Sequence, residues 1–193
     1  EIGRIYRQRE QYEVAELVFR KAMEIEPSNA ELSNELGLLE LARGDTQAAF
    51  QHFQQAITLD ARFAQAHLNQ GSVLLHAGDY AGAEAEYRAV LSANAENEDA
   101  RVALGVALRG QGNHREARRE YERVLEQNPN HPAALFNLGV LLAEFLEQRP
   151  QARELFERFL RVAPSGTHQQ AAQRYLQEIP APAAPRARQG GSS

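Results

Sequence analysis

The chain contains no cysteine. That absence excludes a disulfide framework, thiol nucleophiles and thiolate metal sites together, and leaves the redox compartment open. Lysine is almost missing as well: Lys21 stands alone, so nearly all positive charge is arginine, a weak sign of GC-rich bacterial coding. No apolar run approaches the roughly 18 residues that a membrane-spanning helix requires, and the first residues show no basic segment followed by an apolar one. The sequence does not open with Met, which leaves room for a signal or lipid-attachment segment ahead of it. Positive charge is also outnumbered. The net charge of -5 argues against a general nucleic-acid binder, whose footprint would be a basic stripe. Residues 30–97 carry nine acids against only Arg43, Arg62 and Arg88, while the end of the chain is basic through Arg186 and Arg188. With 43% hydrophobic and 24% charged residues the composition is that of a folding chain.

What is present is a period. Glycines fall at Gly3, Gly37, Gly71, Gly105 and Gly139, a constant spacing of 34, which marks an internal repeat. Twelve residues after each glycine stands an alanine (Ala15, Ala49, Ala83, Ala117), with Ala152 displaced by one insertion. Four residues further on an aromatic follows each time: Phe19, Phe53, Tyr87, Tyr121, Phe156. Three beyond that comes an apolar residue (Ala22, Ala56, Val90, Val124, Phe159). Steps of three and four place these residues on one helical stripe, and the gap between glycine and alanine holds a helix end, a turn and a new helix start. Each repeat therefore reads as a helical hairpin. Glycine and alanine leave the two axes free to approach, and the aromatic is expected to fill the space towards the next pair. Pro27, Pro129 and Pro164 close three repeats, since proline disfavours helical geometry in the residue before it.

These positions, in register over about residues 1–166, resemble the tetratricopeptide repeat. The family's tryptophan position is occupied by Ser33, His67, Arg101 and Leu135, and its proline position by Ala61 and Ala95 in two repeats. The resemblance implies an all-α, right-handed superhelical solenoid of hairpins. Its repeats would run over residues 1–29, 30–63, 64–97, 98–131 and 132–166, followed by a capping helix at 167–179 and a flexible Pro/Ala/Gly-rich tail at 180–193. The first repeat lacks its opening five residues, so the chain is expected to continue upstream. In the capping helix Tyr175, Leu176 and Ile179 would dock on the fifth repeat and leave Gln169, Gln173 and Glu178 in water.

The search for chemistry returns little. The six histidines, His52, His67, His76, His114, His131 and His168, occupy different places in different repeats, with no pair at i, i+4 and no HExxH. They read as exposed helix and turn residues. Gly105 to Gly110 has the gap of a phosphate loop, but Gln111 and Gly112 stand where Lys and Ser or Thr are needed. The glutamates sit among arginines at helical spacing, as in Glu116 to Glu126, which reads as a solvated face. The expectation is no catalytic residue, no metal site and no cofactor.

In the family the first helix of each hairpin lines a concave face that binds extended peptides or helices. Carried onto this chain, that face comprises Asn34, Leu38 and Leu41; Leu68, Asn69, Ser72 and Leu75; Val102, Val106 and Arg109; and Phe136, Asn137 and Val140, with Arg4 and Arg7 at one end. Some members clamp a chaperone's terminal carboxylate with lysines and asparagines. At those positions stand Asn34 and Leu38, Leu68 and Ser72, Val102 and Val106, and Phe136 and Val140, so the clamp is absent. Asn69 and Asn137 match an asparagine that in some arrays bonds a peptide backbone, although Glu35 and Ala103 interrupt a continuous ladder. The groove is either an apolar docking surface or core between neighbouring helices. The resemblance implies a non-catalytic interaction module with a protein or peptide partner, of a kind that in bacteria serves pili, secretion and motility machines. The alternatives are the substrate-recruiting segment of a larger enzyme, of glycosyltransferase or methyltransferase type, and self-association. The compartment stays open between bacterial cytoplasm and envelope.

Arg43-Gly44-Asp45 spells an adhesion tripeptide, yet Gly44-Asp45 recurs as Gly78-Asp79 and as Gly112-Asn113 at the same period. It reads as a turn, with the glycine left-handed and the acid capping the next helix; Asn113 would cap likewise, with Glu116 completing a capping box. From the small-residue register, Gly105→Leu is expected to destabilise by about 1–3 kcal/mol through overpacking, measured by urea unfolding. A variant of unchanged stability would refute the hairpin geometry.

Overall fold

The computed structural model describes residues 1–163 and 165–180. Pro164 and the tail from residue 181, expected to be flexible, lie outside the described residues. Those described form eleven α-helices and no strand: α1 (Ile2–Gln8), α2 (Tyr12–Ile25), α3 (Ala30–Arg43), α4 (Thr46–Leu59), α5 (Ala64–His76), α6 (Tyr80–Ala93), α7 (Glu98–Gly110), α8 (His114–Gln127), α9 (Pro132–Glu144), α10 (Arg149–Val162) and α11 (Thr167–Glu178). The chain divides into two compact units, Glu1–Ala117 and Arg118–Ser193. In the first, α1 packs on α2, α3 on α4 and α5 on α6, while α2, α4 and α6 each pack on the helix that follows. The first helices also meet one another, α1 with α3 and α5 with α7. In the second, α10 packs on α9 and on α11.

Four of the hairpins are locked by a ring set on a glycine. A Cβ built on Gly37 would lie 2.5 Å from the Phe53 ring, on Gly71 2.6 Å from Tyr87, on Gly3 2.5 Å from Phe19 and on Gly139 2.8 Å from Phe156. The glycine therefore accommodates its own hairpin's aromatic rather than the opposing helix axis. The expectation that the ring points towards the next pair was half of the answer. Phe19 also packs with Leu36 and Leu39 of α3, and Phe53 with Val73 of α5. One ring thus holds a hairpin together and ties it to its successor. Burial of each such ring contributes about 1.5–3 kcal/mol, and burial pushes the Tyr87 phenol up to about 12.

Five of the helix starts are capped by side chains. Asn29, Asp45, Asp79 and Asn97 accept from the amides of Leu32 (3.2 Å), Ala48 (2.9 Å), Gly82 (2.9 Å) and Ala100 (2.8 Å), and His131 Nδ1 accepts from Ala134 (3.2 Å). These side chains satisfy amides that have no partner within the helix. In the second compact unit α11 lies on α10 through Tyr175, stacked on Phe156 with centroids 4.7 Å apart. Ala172 and Ile179 are buried there. Arg153 closes the far end by donating to the carbonyls of Leu176 and Ile179.

The joint inside each hairpin is left-handed in all five repeats, which the glycine count alone did not reveal. Gly44, Gly78 and Gly112 have φ of 87°, 80° and 79°, and at the same register Glu10 and Glu147 have φ of 59° and 54°. The amide after the left-handed residue bonds back to a carbonyl five residues earlier: Asp45 to Glu40, Asp79 to Leu74, Asn113 to Leu108 and Gln11 to Tyr6, each at 2.9 Å. In the fifth hairpin Gln148 bonds to Leu142 at 2.8 Å, so the joint absorbs the inserted residue. A Cβ in this conformation costs about 1–2 kcal/mol. Glu10→Gly and Glu147→Gly are therefore expected to stabilise by about 0.5–1 kcal/mol each, and Gly44→Ala to destabilise by about 1 kcal/mol. Urea midpoints check both signs. A destabilised Glu147→Gly protein would show that its side chain contributes more than its backbone costs.

Candidate functional site

The structure separates the expected groove residues into three kinds. Asn34 and Val102 are buried. Leu38 is half-buried and packs against the Ala49, Phe53 and Val73 cluster. Leu41 is exposed, and Leu68, Asn69, Ser72, Leu75, Val106, Arg109, Phe136, Asn137 and Val140 are half-buried.

On the first helices of the leading compact unit, polar side chains hold the row together. Asn69 Nδ2 donates to Asn34 Oδ1 at 2.7 Å, and Gln65 donates to Asn69 Oδ1 at 3.2 Å. The Asn34 oxygen is thus taken up by a helix-to-helix bond. Beside it, Glu35 is buried and receives Arg4 Nε at 2.7 Å and Arg7 at 3.3 Å, while Arg4 also pairs with Glu31. Bonding to Glu35 and Glu31 raises the Arg4 pKa. Buried Arg7 Nε has no hydrogen-bond partner among the described residues. Sequence reasoning placed Arg4, Arg7 and Glu35 on this face but missed that they form one cluster; their opposite charges on adjoining hairpins were the available signal.

His67 corrects the reading of the histidines as exposed. At the family's tryptophan position it is buried, its Nδ1 2.6 Å from Glu86 Oε2 and its Nε2 3.1 Å from the Ala61 carbonyl. Those partners bind α5 to α6 and to the turn before α5, so the ring replaces an apolar plug with a polar tie. His52 is half-buried, and burial lowers its pKa. His76 returns to the Ser72 carbonyl of its own helix at 2.7 Å.

In the second compact unit Phe136 and Asn137 line a cavity of about 400 Å³ with Phe159, His168 and the Ser165–Gly166 turn. Phe136 lies edge-on to His168 (4.5 Å) and tilted against Phe159 (5.3 Å), while Asn137 Nδ2 donates to the Ala133 carbonyl at 2.9 Å. Phe159, Ser165 and His168 were not among the expected lining residues: Phe159 belongs to α10, a second helix that the family's binding face does not include, and the turn and start of α11 that bring Ser165 and His168 there have no repeat register. Among the described residues no group of His, Cys, Asp and Glu is placed to hold a metal ion, and no helix is long and apolar enough to cross a membrane.

The adhesion tripeptide has both charges in use. Arg43 donates to Glu16 at 2.6 Å and to Glu40 at 3.4 Å, and Asp45 caps α4 while Gly44 is left-handed. Arg43 is a bolt between α2 and α3.

Tetratricopeptide repeat profiles match residues 1–62 and 102–145, residues 74–120, and residues 133–166. The chain belongs to the tetratricopeptide repeat family. No curated protein sequence matches it. Similar solved structures include MamA, at 22% identity, 91% of this chain, 98% of that chain and a TM-score of 0.72. PilF of Pseudomonas aeruginosa follows at 21% identity, 92% and 87% coverage and a TM-score of 0.76. YrrB, described as a tetratricopeptide repeat protein with an unusual peptide-binding site, stands at 23% identity, 89% and 88% coverage and a TM-score of 0.71. At such identities the likeness is one of fold.

Hydrogen bonds from Arg43 and Arg20 hold the Glu16 carboxyl below the usual carboxylate range. A depressed folded value means that the pair's stabilisation is present above the ordinary carboxylate pKa and lost as pH falls through the folded one. Glu16→Gln is therefore expected to lower the urea midpoint at about pH 7 and to leave it nearly unchanged at about pH 3. An equal loss at both pH values would mean that Glu16 acts by packing.

Proposed function

We propose that the chain is a non-catalytic interaction module whose first helices present a largely apolar surface, set with asparagines, to a peptide or helix of a partner protein. The observation that carries this reading is the cavity of about 400 Å³ at Phe136 and Asn137, where an apolar floor adjoins an asparagine amide. Sites for apolar ligands have this make-up, a hydrophobic lining with few polar groups that fix orientation. In the other compact unit the half-buried Leu68, Leu75 and Val106 offer similar apolar chemistry on α5 and α7. YrrB, of the same fold, is described as binding peptide, which supports transferring that class of ligand. The pilus, secretion or motility setting of bacterial family members is carried over only as analogy.

A partner that buried about 500 Å² of apolar surface would gain on the order of 10 kcal/mol gross. Association costs roughly 4–15 kcal/mol, so the affinity is moderate. Selection of ligands from a displayed peptide library against the full chain is expected to return apolar sequences. Leu75→Glu and Val106→Glu should weaken the selected peptide by at least about tenfold, or 1.4 kcal/mol, with helicity and melting temperature retained. If either variant unfolds, its residue belongs to the core and the proposal loses that part of the surface. If both fold and bind as before, the peptide sits elsewhere.

A further inference from the structure

Five rings of the second compact unit form one connected run. Tyr175 of α11 stacks on Phe156 of α10 at 4.7 Å, Phe156 meets Phe136 edge-on at 6.0 Å, and Phe136 lies 5.3 Å from Phe159 and 4.5 Å from His168. The last three line the cavity of about 400 Å³. The aromatic seam between α10 and α11 thus continues into a cavity of ligand size.

The rings at the cavity depart from the repeat. At the register position of Phe136 the earlier hairpins have Asn34, Leu68 and Val102, and at that of Phe159 they have Ala22, Ala56, Val90 and Val124. Hairpin packing therefore requires a ring at neither place. The turn that brings His168 to the cavity is particular to this hairpin as well: Gly166 has φ 144° and ψ -180°, a conformation that essentially only glycine adopts. Among the described residues the lining contains no Asp, Glu, Lys or Arg, in a chain of which 24% is charged. An ionised side chain would exchange its hydration for rings and neutral amides there, which favours an uncharged occupant. Ring edges are positive and ring faces negative, so rings set edge-on and tilted offer an incoming ring an electrostatic fit that an aliphatic chain lacks.

We infer that this cavity is a socket for one aromatic side chain of the partner peptide, an inference that rests on the cavity being the peptide site. Phe136, Phe159 and His168 are its specificity-determining residues.

The test titrates the full chain with N-acetyl-tryptophanamide and, separately, with N-acetyl-leucinamide, following backbone amide resonances by two-dimensional NMR. The chain has no tryptophan, so indole emission supplies a second readout that belongs to the probe alone. Saturable shifts at Phe136, Phe159 and His168 are expected, with the tryptophan probe binding at least about fivefold more tightly than the leucine probe. Phe136→Leu, which installs the residue type that Leu68 provides at this register position, should weaken the tryptophan probe by at least about threefold and leave the leucine probe nearly unchanged. His168→Ala, at an exposed position, should weaken the tryptophan probe as well, and circular dichroism verifies that each variant folds. Equal affinity for the two probes would overturn the aromatic preference and leave the apolar peptide site standing. No saturable binding of either probe would overturn both at this cavity. Tryptophan binding indifferent to both variants would place the ring elsewhere and overturn the socket.

Discussion

An aromatic ring resting on a glycine is the contact on which the rest of this fold depends. Phe53 can lie over α3 only because Gly37 has no Cβ; an added carbon would come within 2.5 Å of the ring. Once the ring is there, its remaining surface belongs to the next hairpin, as Phe53 shows with Val73 and Phe19 with Leu36 and Leu39. Intra-hairpin and inter-hairpin packing are thus two sides of one side chain. This coupling explains why glycine and aromatic recur together at a fixed separation. Either one without its partner would leave a cavity or a clash, and each costs kilocalories.

Around that contact the polar residues act as fasteners between elements. Asp45 and Asp79 begin helices; Arg43 bridges α2 to α3, and His67 bridges α5 to α6. Glu35 draws Arg4 and Arg7 of α1 onto α3. Several residues that look chemical in isolation, including an arginine-glycine-aspartate triplet and a histidine beside a glutamate, are therefore consumed by the fold. The surfaces proposed for a partner are instead mainly apolar. They are the half-buried aliphatics of α5 and α7 and the cavity at Phe136.

The period of 34, the helical hairpins and the turn reading of Gly44-Asp45 were legible because each follows from residues whose role is local. A small residue at a helix contact, a left-handed joint and a carboxylate at a helix start need only sequence spacing to be recognised. The residues expected to face a ligand followed from register alone, and register does not say which of them are buried. Whether Asn34 faces a ligand or Asn69 depends on how α3 and α5 pack, and in the structure its oxygen accepts from Asn69.

The sequence by itself determined the repeat, the helices and their joints, since backbone conformation and side-chain stripes are set by neighbours within one turn. Tertiary structure alone decided that Glu10 and Glu147 share the left-handed conformation of the glycines, because only closure of the hairpin forces a Cβ-bearing residue there. It also decided that His67 is buried, with Glu86 and the Ala61 carbonyl at its two ring nitrogens, while Leu41 stays exposed and Leu39 is sealed. Burial is a property of what lies across the interface, and no spacing along a chain records which of its register positions has been covered.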